Sequence, residues 1–473
     1  MSNEFLRVLV RHVFSPKRAA ATGSARRLWG LLLIAIVVCG PLIIAPVQAD
    51  DWTQWRGSNR DGVWRESGVI SSFTAADLKP VWRQPIGTGY SSPTVCSGRV
   101  FLMDFDESKS EESVLCFDSK TGQLKWKHTY QSSYQGISYT AGPRAAVTIE
   151  GELAYSLGAK GRLHCLNVND GTVVWEDDLD QSYQISASKR MPIWGITGSP
   201  IVVGDLVILQ IGAKGAAVVA FNKTTGDEVW KALDDRGQYS SPVLVKQNGN
   251  DVLVCWTGDG VAGLNPQTGQ PYWHHPFKPS RMPIGVATPV IHGNRIFLTS
   301  FYDGAMMLEM STTDMSVKQN WHLVGENERD TKALNSIIST PIWIEDHIYG
   351  VDSYGELRCL SAADGSRVWE DLTAVKKSRW GTIHFVAHGK EVWMLNEQGE
   401  LMVGGLTPSG LSVTSRAGIL DADQMRQPNR KGGVVWSHPA FADRCVFARN
   451  DRELICISLA KPQRKVELSG SEK

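Results

Sequence analysis

The residues best suited to chemistry are three arginines and six aromatics that fall between apolar strand-like runs. Arg190-Met191-Pro192-Ile193-Trp194-Gly195 and Arg281-Met282-Pro283-Ile284-Gly285 are matching strings, and Arg379-Trp380-Gly381 is a shorter third. A guanidinium offers a planar fork of donors that pairs with a carboxylate or a phosphate. Tyr90, Tyr139, Trp194, Tyr239, Trp380 and Trp436 recur just before a strand, where their rings can stack a planar group or a peptide side chain. Arg190, Arg281, Arg379, Tyr90, Trp194, Tyr239, Trp380 and Trp436 are therefore the expected ligand-binding set. The alternative is that the same side chains plug a channel by packing on each other. Lys160 and Lys214, in paired Gly-Ala-Lys-Gly strings, add positive charge nearby.

Other constellations carry less. Asp104/Asp106/Glu107, Asn167/Asn169/Asp170 and Asp421/Asp423 supply oxygens, but none alternates ligands toward a closing bidentate Glu as a Ca²⁺ loop does, and Asp or Asn beside Gly is ordinarily a turn residue. His384 and His388 are four apart in a strand-like segment, where that spacing makes no helical metal face; His274-His275 ends a strand. No nucleophile elbow, phosphate loop or zinc-protease motif occurs. No catalytic residue and no metal ligand is expected.

The elements that would position the loops repeat. A strand start recurs at Pro93, Pro143, Pro200, Pro242, Pro289, Pro341, Ile383 and Pro439, at intervals of about 49 residues. Each unit runs strand, turn, strand, loop, strand, then a tight turn and a tryptophan strand: TGQLKW126, DGTVVW175, TGDEVW230, TGQPYW273 and DGSRVW369. Trp321 keeps the place in an altered unit, and Ser409-Gly410 leading to Val413 keeps it without Trp. Period-2 alternation with Gly turns and no helical periodicity argues for antiparallel blades. Blades bury their faces only against neighbours, so the units must close radially. The expected fold is all-β, an eight-bladed β-propeller of four-stranded blades, with seven blades as the alternative. The last unit lacks its tryptophan strand, and Leu78-Lys79-Pro80-Val81-Trp82 supplies an orphan one, so residues 78–84 are expected to close the ring as the outer strand of the final blade. The recurring tryptophans are expected to pack blade against blade. Connections between blades range from 11 residues (82 to 93) to 25 (175 to 200) and 26 (413 to 439), which places elaboration on one face.

Residues 1–49 stand apart. Six basic residues precede an apolar run from Leu28 to Val47 that ends in Val47-Gln48-Ala49, the pattern of a cleaved export signal, with an uncleaved inner-membrane anchor as the rival. Removing the six basic residues and Glu4 leaves 43 Lys+Arg against 48 Asp+Glu. A mildly acidic chain lacks the basic footprint of a nucleic-acid binder. The expected domains are the leader 1–49, an extension 50–77, the propeller 78–460 and a polar tail 461–473. The expected location is periplasmic or secreted. Seven cysteines follow the leader without C-x-x-C pairs, and Cys116, Cys165, Cys359 and Cys456 share one repeat position, as buried free thiols would.

The opening Asp51-Trp52-x-x-Trp55-Arg56-Gly57-x-Asn59-Arg60-Asp61-Gly62, the strand Leu78-x-Pro80-x-Trp82, the Ser-Ser-Pro start at 91–93 and the repeated [TD]-G-x-x-x-W closures resemble the pyrroloquinoline-quinone (PQQ)-like repeat propellers from about residue 50 to 460. That superfamily contains quinoprotein alcohol dehydrogenases and the lipoprotein scaffold of the outer-membrane β-barrel assembly machinery. The enzymatic branch would imply PQQ over the channel, Ca²⁺ on carboxylate and amide oxygens, a catalytic Asp and often a disulfide between adjacent cysteines. This chain has no adjacent cysteines and near-minimal blades. The expectation is a binding or scaffold module for a protein partner or a small anionic ligand, with no cofactor; a PQQ- and Ca²⁺-dependent oxidoreductase is the alternative.

Overall fold

The computed structural model describes residues 50–139, 142–422 and 432–462. The expected leader or anchor, the tail from residue 463 and Asp423 lie outside the described residues. Among the described residues no helix is long and apolar enough to cross a membrane.

The chain forms eight four-stranded antiparallel sheets. Blade 1 consists of Thr94–Cys96, Arg99–Asp106, Glu111–Asp118 and Leu124–Gln131; blades 2 to 7 span 148–178, 201–232, 243–276, 290–323, 342–371 and 383–418. Blade 8 takes Ala440–Ala442, Cys445–Arg449 and Glu453–Ser458 from the end of the chain and Pro80–Pro85 from its beginning. The orphan tryptophan strand closes the ring, with Trp82 opposite Cys456. The four cysteines at one repeat position are buried free thiols.

The tryptophans are the rivets between blades. The Trp126 indole N–H donates to the Val168 carbonyl of blade 2 at 2.9 Å, and Trp82, Trp175, Trp230, Trp321 and Trp369 each reach the corresponding carbonyl of the next blade. Three residues beyond that carbonyl stands the turn glycine. At Gly171 φ is +74°, and an added Cβ would lie 2.5 Å from the Trp126 ring, so the turn demands both the left-handed conformation and the missing side chain. Blade 5 lacks the [TD]-G turn, and Trp273 bonds Gln247 instead, at 2.9 Å. The Gln247 amide then donates to the carbonyls of Ser311, Asp314 and Ser316 in blade 5, so the rivet is rebuilt with one extra link.

Two repeat registers differ from the sequence pattern. Inner strands begin one residue after Pro93, Pro200, Pro242, Pro289, Pro341 and Pro439, but blade 2 begins at Thr148. Pro143 instead lies in the preceding loop, where its carbonyl accepts from the N–H groups of Tyr90 and Ser91. In blade 7 the tryptophan position, the pair just before the bulge, is Ser415 opposite Val403, not Val413. Ser415 Oγ accepts from the N–H of Phe73 at 2.8 Å. Phe73, stacked on Trp393 at 5.8 Å, joins Trp64 and Phe441 in the core there, so the extension supplies the aromatic that blade 7 lacks.

Residues 50–77 form a strap across the ring face that carries the [TD]-G turns. Trp52 bridges Val95 of blade 1, Val63 bridges Ala387 of blade 7 and Val69 bridges Ala460 after blade 8; Trp55 and Arg60 reach blades 3 to 5 beside the ring axis.

Candidate functional site

The central channel is a funnel lined by one residue from each blade, three before the residue that leads into the inner strand. Tyr90, Tyr239, Trp380 and Trp436 occupy this place in blades 1, 4, 7 and 8, and Arg144, Thr197, Val286 and Ile338 occupy it in blades 2, 3, 5 and 6. Two residues further on, small hydroxyls and a histidine form a second tier, of which Ser199, Ser241 and His438 border the space. Ser199 Oγ accepts from Ala146 N at 2.9 Å, and Ser241 Oγ accepts from Ser199 N at 2.9 Å, so these two hydroxyls are fixed by the backbone of the preceding blade. The funnel holds about 880 Å³ including its open mouth.

The floor comes from the strap. Trp55 donates to Thr288 Oγ1 at 2.8 Å and meets His438 edge-on at 5.4 Å. Arg60, 4% exposed, donates to the carbonyls of Ser199 (3.2 Å), Pro242 (3.1 Å) and Pro200. Burial lowers its pKa to about 9 and that of Arg56 to about 10, both high enough to keep the charge at neutral pH. His384 gives its Nε2 to the Trp436 carbonyl at 2.8 Å, and burial, with Arg56 as a minor contributor, lowers it to about 4; His438 is pushed down in the same way. Both imidazoles are neutral and structural.

All six aromatics picked out by sequence line the funnel. Their rings form an arc: Tyr90 to Trp436 at 6.3 Å, Trp436 to Trp380 at 6.3 Å, Trp380 to Tyr139 at 5.4 Å, Tyr139 to Trp194 at 5.6 Å and Trp194 to Tyr239 at 4.7 Å. Tyr139 of the blade 2 loop thus reaches Trp380 of blade 7, narrowing the opening. Val286, Ile337 and Ile338 make an aliphatic wall.

The three arginines are not among the lining residues. Arg190 donates to the carbonyl and carboxylate of Asp234 at 2.9 and 3.1 Å. Arg281 lies over the Tyr302 ring at 5.0 Å. Arg379 forks onto Glu328 at 3.1 and 3.0 Å and covers the outer side of Trp380 at 4.7 Å. Burial favours the neutral form of Glu328, but the Arg379 fork outweighs it and holds the carboxyl below its usual range. The loop guanidiniums therefore brace the rim. Among the described residues Arg144 is the cation that lines the funnel, 5.3 Å over the Tyr90 ring; its place three before Val147, the residue that leads into blade 2, marks it, but the misplaced Pro143 register hid that offset.

The remaining sequence candidates are turn and loop partners. Asp104 accepts from Gly87 N at 2.7 Å, Asn167 from Asn169 N at 2.8 Å and Asp170 from Thr172 N at 3.0 Å. His388 pairs with the Trp64 carbonyl, His274 with Asp235 and His275 with Gln319. Lys160 stands 3.9 Å from Asp180, and Lys214 is exposed. Among the described residues no His, Cys, Asp and Glu cluster is arranged to hold a metal ion.

Comparison with known proteins agrees with this architecture. The family model described as "Outer membrane protein assembly factor BamB" matches residues 57–147 and 110–371, together more than half of the chain. The chain is 24% identical over 338 residues to the outer membrane protein assembly factor BamB of Burkholderia pseudomallei, covering 67% of this chain and 69% of that protein. BamB of Moraxella catarrhalis superposes with a TM-score of 0.52 at 15% identity, covering 82% of this chain and 99% of that one. The quinohemoprotein alcohol dehydrogenase of Comamonas testosteroni superposes with a TM-score of 0.57 at 12% identity, covering 88% and 82%. Identities this low speak for the fold alone. The repeat architecture, the tryptophan rivets and the family match lead to one conclusion: the chain belongs to the PQQ-like repeat β-propeller family described as outer membrane protein assembly factor BamB.

Proposed function

We propose that this protein is an exported recognition propeller that holds a protein partner in the cell envelope, with its loop-elaborated face and funnel as the contact surface. The observation that carries this reading is the funnel lining: among the described residues, rings, aliphatic groups, hydroxyls and one guanidinium, side chains that stack and donate hydrogen bonds. Among the described residues no carboxylate lines the funnel. A quinone with Ca²⁺ needs hard oxygen ligands and an acid or base beside the reacting carbon, and the described funnel residues do not fit that group. The likeness to proteins named for outer-membrane assembly supports an envelope partner.

The test is co-purification of the tagged full chain from envelope extracts, alongside addition of PQQ and Ca²⁺ to the purified protein. A stoichiometric protein partner with no dye-linked oxidation is the expected outcome. Saturable quinone uptake with turnover of an alcohol or sugar would sink the proposal.

A further inference from the structure

Blade 8 carries two thiols that the recognition role does not use. Cys445 opens the strand Cys445–Arg449, and Cys456 lies in the next strand, Glu453–Ser458. The register sets Cys445 opposite Ser458 and Phe447 opposite Cys456. Residues two apart along a strand share a face of the sheet, so the two cysteines are diagonal neighbours on one face of a hairpin. Their thiols are hydrogen-bonded to each other, and both are free. The pairing is not a feature of the repeat. Cys116, Cys165 and Cys359 hold the place of Cys456 in blades 1, 2 and 6, but the place of Cys445 is taken there by Arg99, Leu153 and His347. Burial of a small apolar side chain accounts for the repeated cysteine; it does not account for a second one beside it. The two thiols also differ. Cys445 is half-buried, whereas Cys456 is 1% exposed and stands opposite Trp82 of the closing strand. The hydrogen bond from Cys456 holds the Cys445 thiol below its ordinary range, and the same contact, with burial added, pushes Cys456 well up. The outer thiol is thus the nucleophile of the pair and the inner one its resolving partner.

We infer that Cys445 and Cys456 form a reversible disulfide, a staple that ties the strand receiving Pro80–Pro85 to its inner neighbour. The oxidant is a molecule that itself carries a disulfide. The Cys445 thiolate attacks one of its sulfurs, forming a mixed disulfide and expelling a thiolate. The Cys456 thiol gives its proton to that thiolate, and its sulfur attacks Cys445 Sγ. This breaks the mixed disulfide and expels the second thiolate, which takes up the proton that Cys445 had lost. Two protein thiols are oxidised, and one disulfide is reduced to two thiols. Diagonal positions stand farther apart than directly opposite ones, so closing the bond pulls the strands from their relaxed register and leaves it readily reduced. The inference rests on the exported reading for its oxidising setting; the juxtaposition of the thiols is set by the sheet register in any compartment.

The experiment treats the folded, reduced full chain with oxidised glutathione, quenches with acid, then denatures and alkylates it and maps the peptides by mass spectrometry. The peptides of Cys445 and Cys456 should appear linked, lighter by two hydrogens and unalkylated, and dithiothreitol should separate them. Cys456→Ser should instead retain glutathione on Cys445, because nothing displaces it, and Cys445→Ser should leave Cys456 unmodified. Amide exchange across Glu453–Ser458 should slow severalfold on oxidation of the wild type and not respond in the double Ser variant. Alkylation of both cysteines after oxidation, a glutathione adduct that persists on Cys445 of the wild type, or exchange that ignores the redox state overturns the inference. The wild-type measurements decide the matter even if a Ser variant does not fold. Acid-quenched cells separate the two claims. A bond that closes in the purified chain but is wholly reduced in cells upholds the inference and counts against export, whereas a bond that fails to close in the purified chain removes the inference and leaves the exported reading as it was.

Discussion

Trp126 and Gly171 act as a pair across a seam, and each predicts what happens when the other is changed. Trp126→Phe leaves the buried Val168 carbonyl without its donor, which should cost about 1–3 kcal/mol in urea unfolding. Gly171→Ala should cost about 1–2 kcal/mol from its left-handed φ alone, with the clash against the Trp126 ring added to that. In the double variant Trp126→Ala/Gly171→Ala the clash is gone, so the two losses should sum to less than the separate values. A second residue-scale expectation concerns acid. His384 is neutral when folded, with a pKa lowered to about 4 from about 6.5. The unfolded chain therefore binds a proton that the folded chain refuses. Stability from this group is fully present above pH 6.5 and is lost as pH falls from there toward 4. His384→Gln should flatten the fall in unfolding free energy across that interval; an unchanged slope would assign the acid sensitivity to other groups, with His438 the first to examine. Much of the site was legible at this scale: the aromatics were found because a bulky ring before a strand repeats. Arg144, Thr197, Val286 and Ile338 were missed because position, not residue type, defines the lining, and Pro143 obscured the position in blade 2. The roles of Arg190 and Arg379 were not legible because their partners, Asp234 and Glu328, are 44 and 51 residues away.

Among elements, the strap does the most that its composition conceals. It reads as a polar loop with scattered aromatics, yet Trp55 makes the channel floor, Arg60 ties three carbonyls from two blades and Phe73 fills the place of a missing tryptophan. Arg60→Met keeps the stem and removes the fork, leaving the Ser199 and Pro242 carbonyls without this donor while Pro200 keeps Thr148 Oγ1, and should cost about 3 kcal/mol. Phe73→Ala should cost a similar amount, about 3 kcal/mol, through the cavity left beside Trp393. The two sites sit at different blades, so their effects should add; thermal unfolding of the double variant measures this. Strands and turns were predictable because alternation and Gly signals are local. The strap was not, because its contacts are with seven blades' worth of distant chain and leave no period behind.

For the whole molecule, eight blades around one axis make stability a property of closure. Each blade covers its neighbours' faces, and blade 8 is complete only when Pro80–Pro85 lies against Glu453–Ser458. Removing residues 50–85 should therefore do more than subtract one strand. It exposes the edge of Glu453–Ser458 and unseats the floor, so unfolding should broaden from one transition into several, with amide exchange fastest in blades 7, 8 and 1. A single sharp transition in that truncation would show that the remaining ring closes on its own. The number of blades was legible from spacing and the seam from the orphan strand, since both are sequence-regular; which way the loops brace the funnel was settled by ion pairs that no repeat announces.

The joining of the first strand to the last also sets an order of events in time. Local contacts within each blade can form as soon as four strands are available, but the seam spans 370 residues between Arg83 and Glu453, and a contact that distant forms only after the chain has been made through its last blade. Synthesised from its N-terminus, the protein holds the strand Pro80–Pro85 without its sheet partner until its final blade is delivered. Closure thus works as a completion check: a chain stopped short of residue 453 has blades but no seam. Such a chain keeps a strand edge open to whatever quality control meets it first.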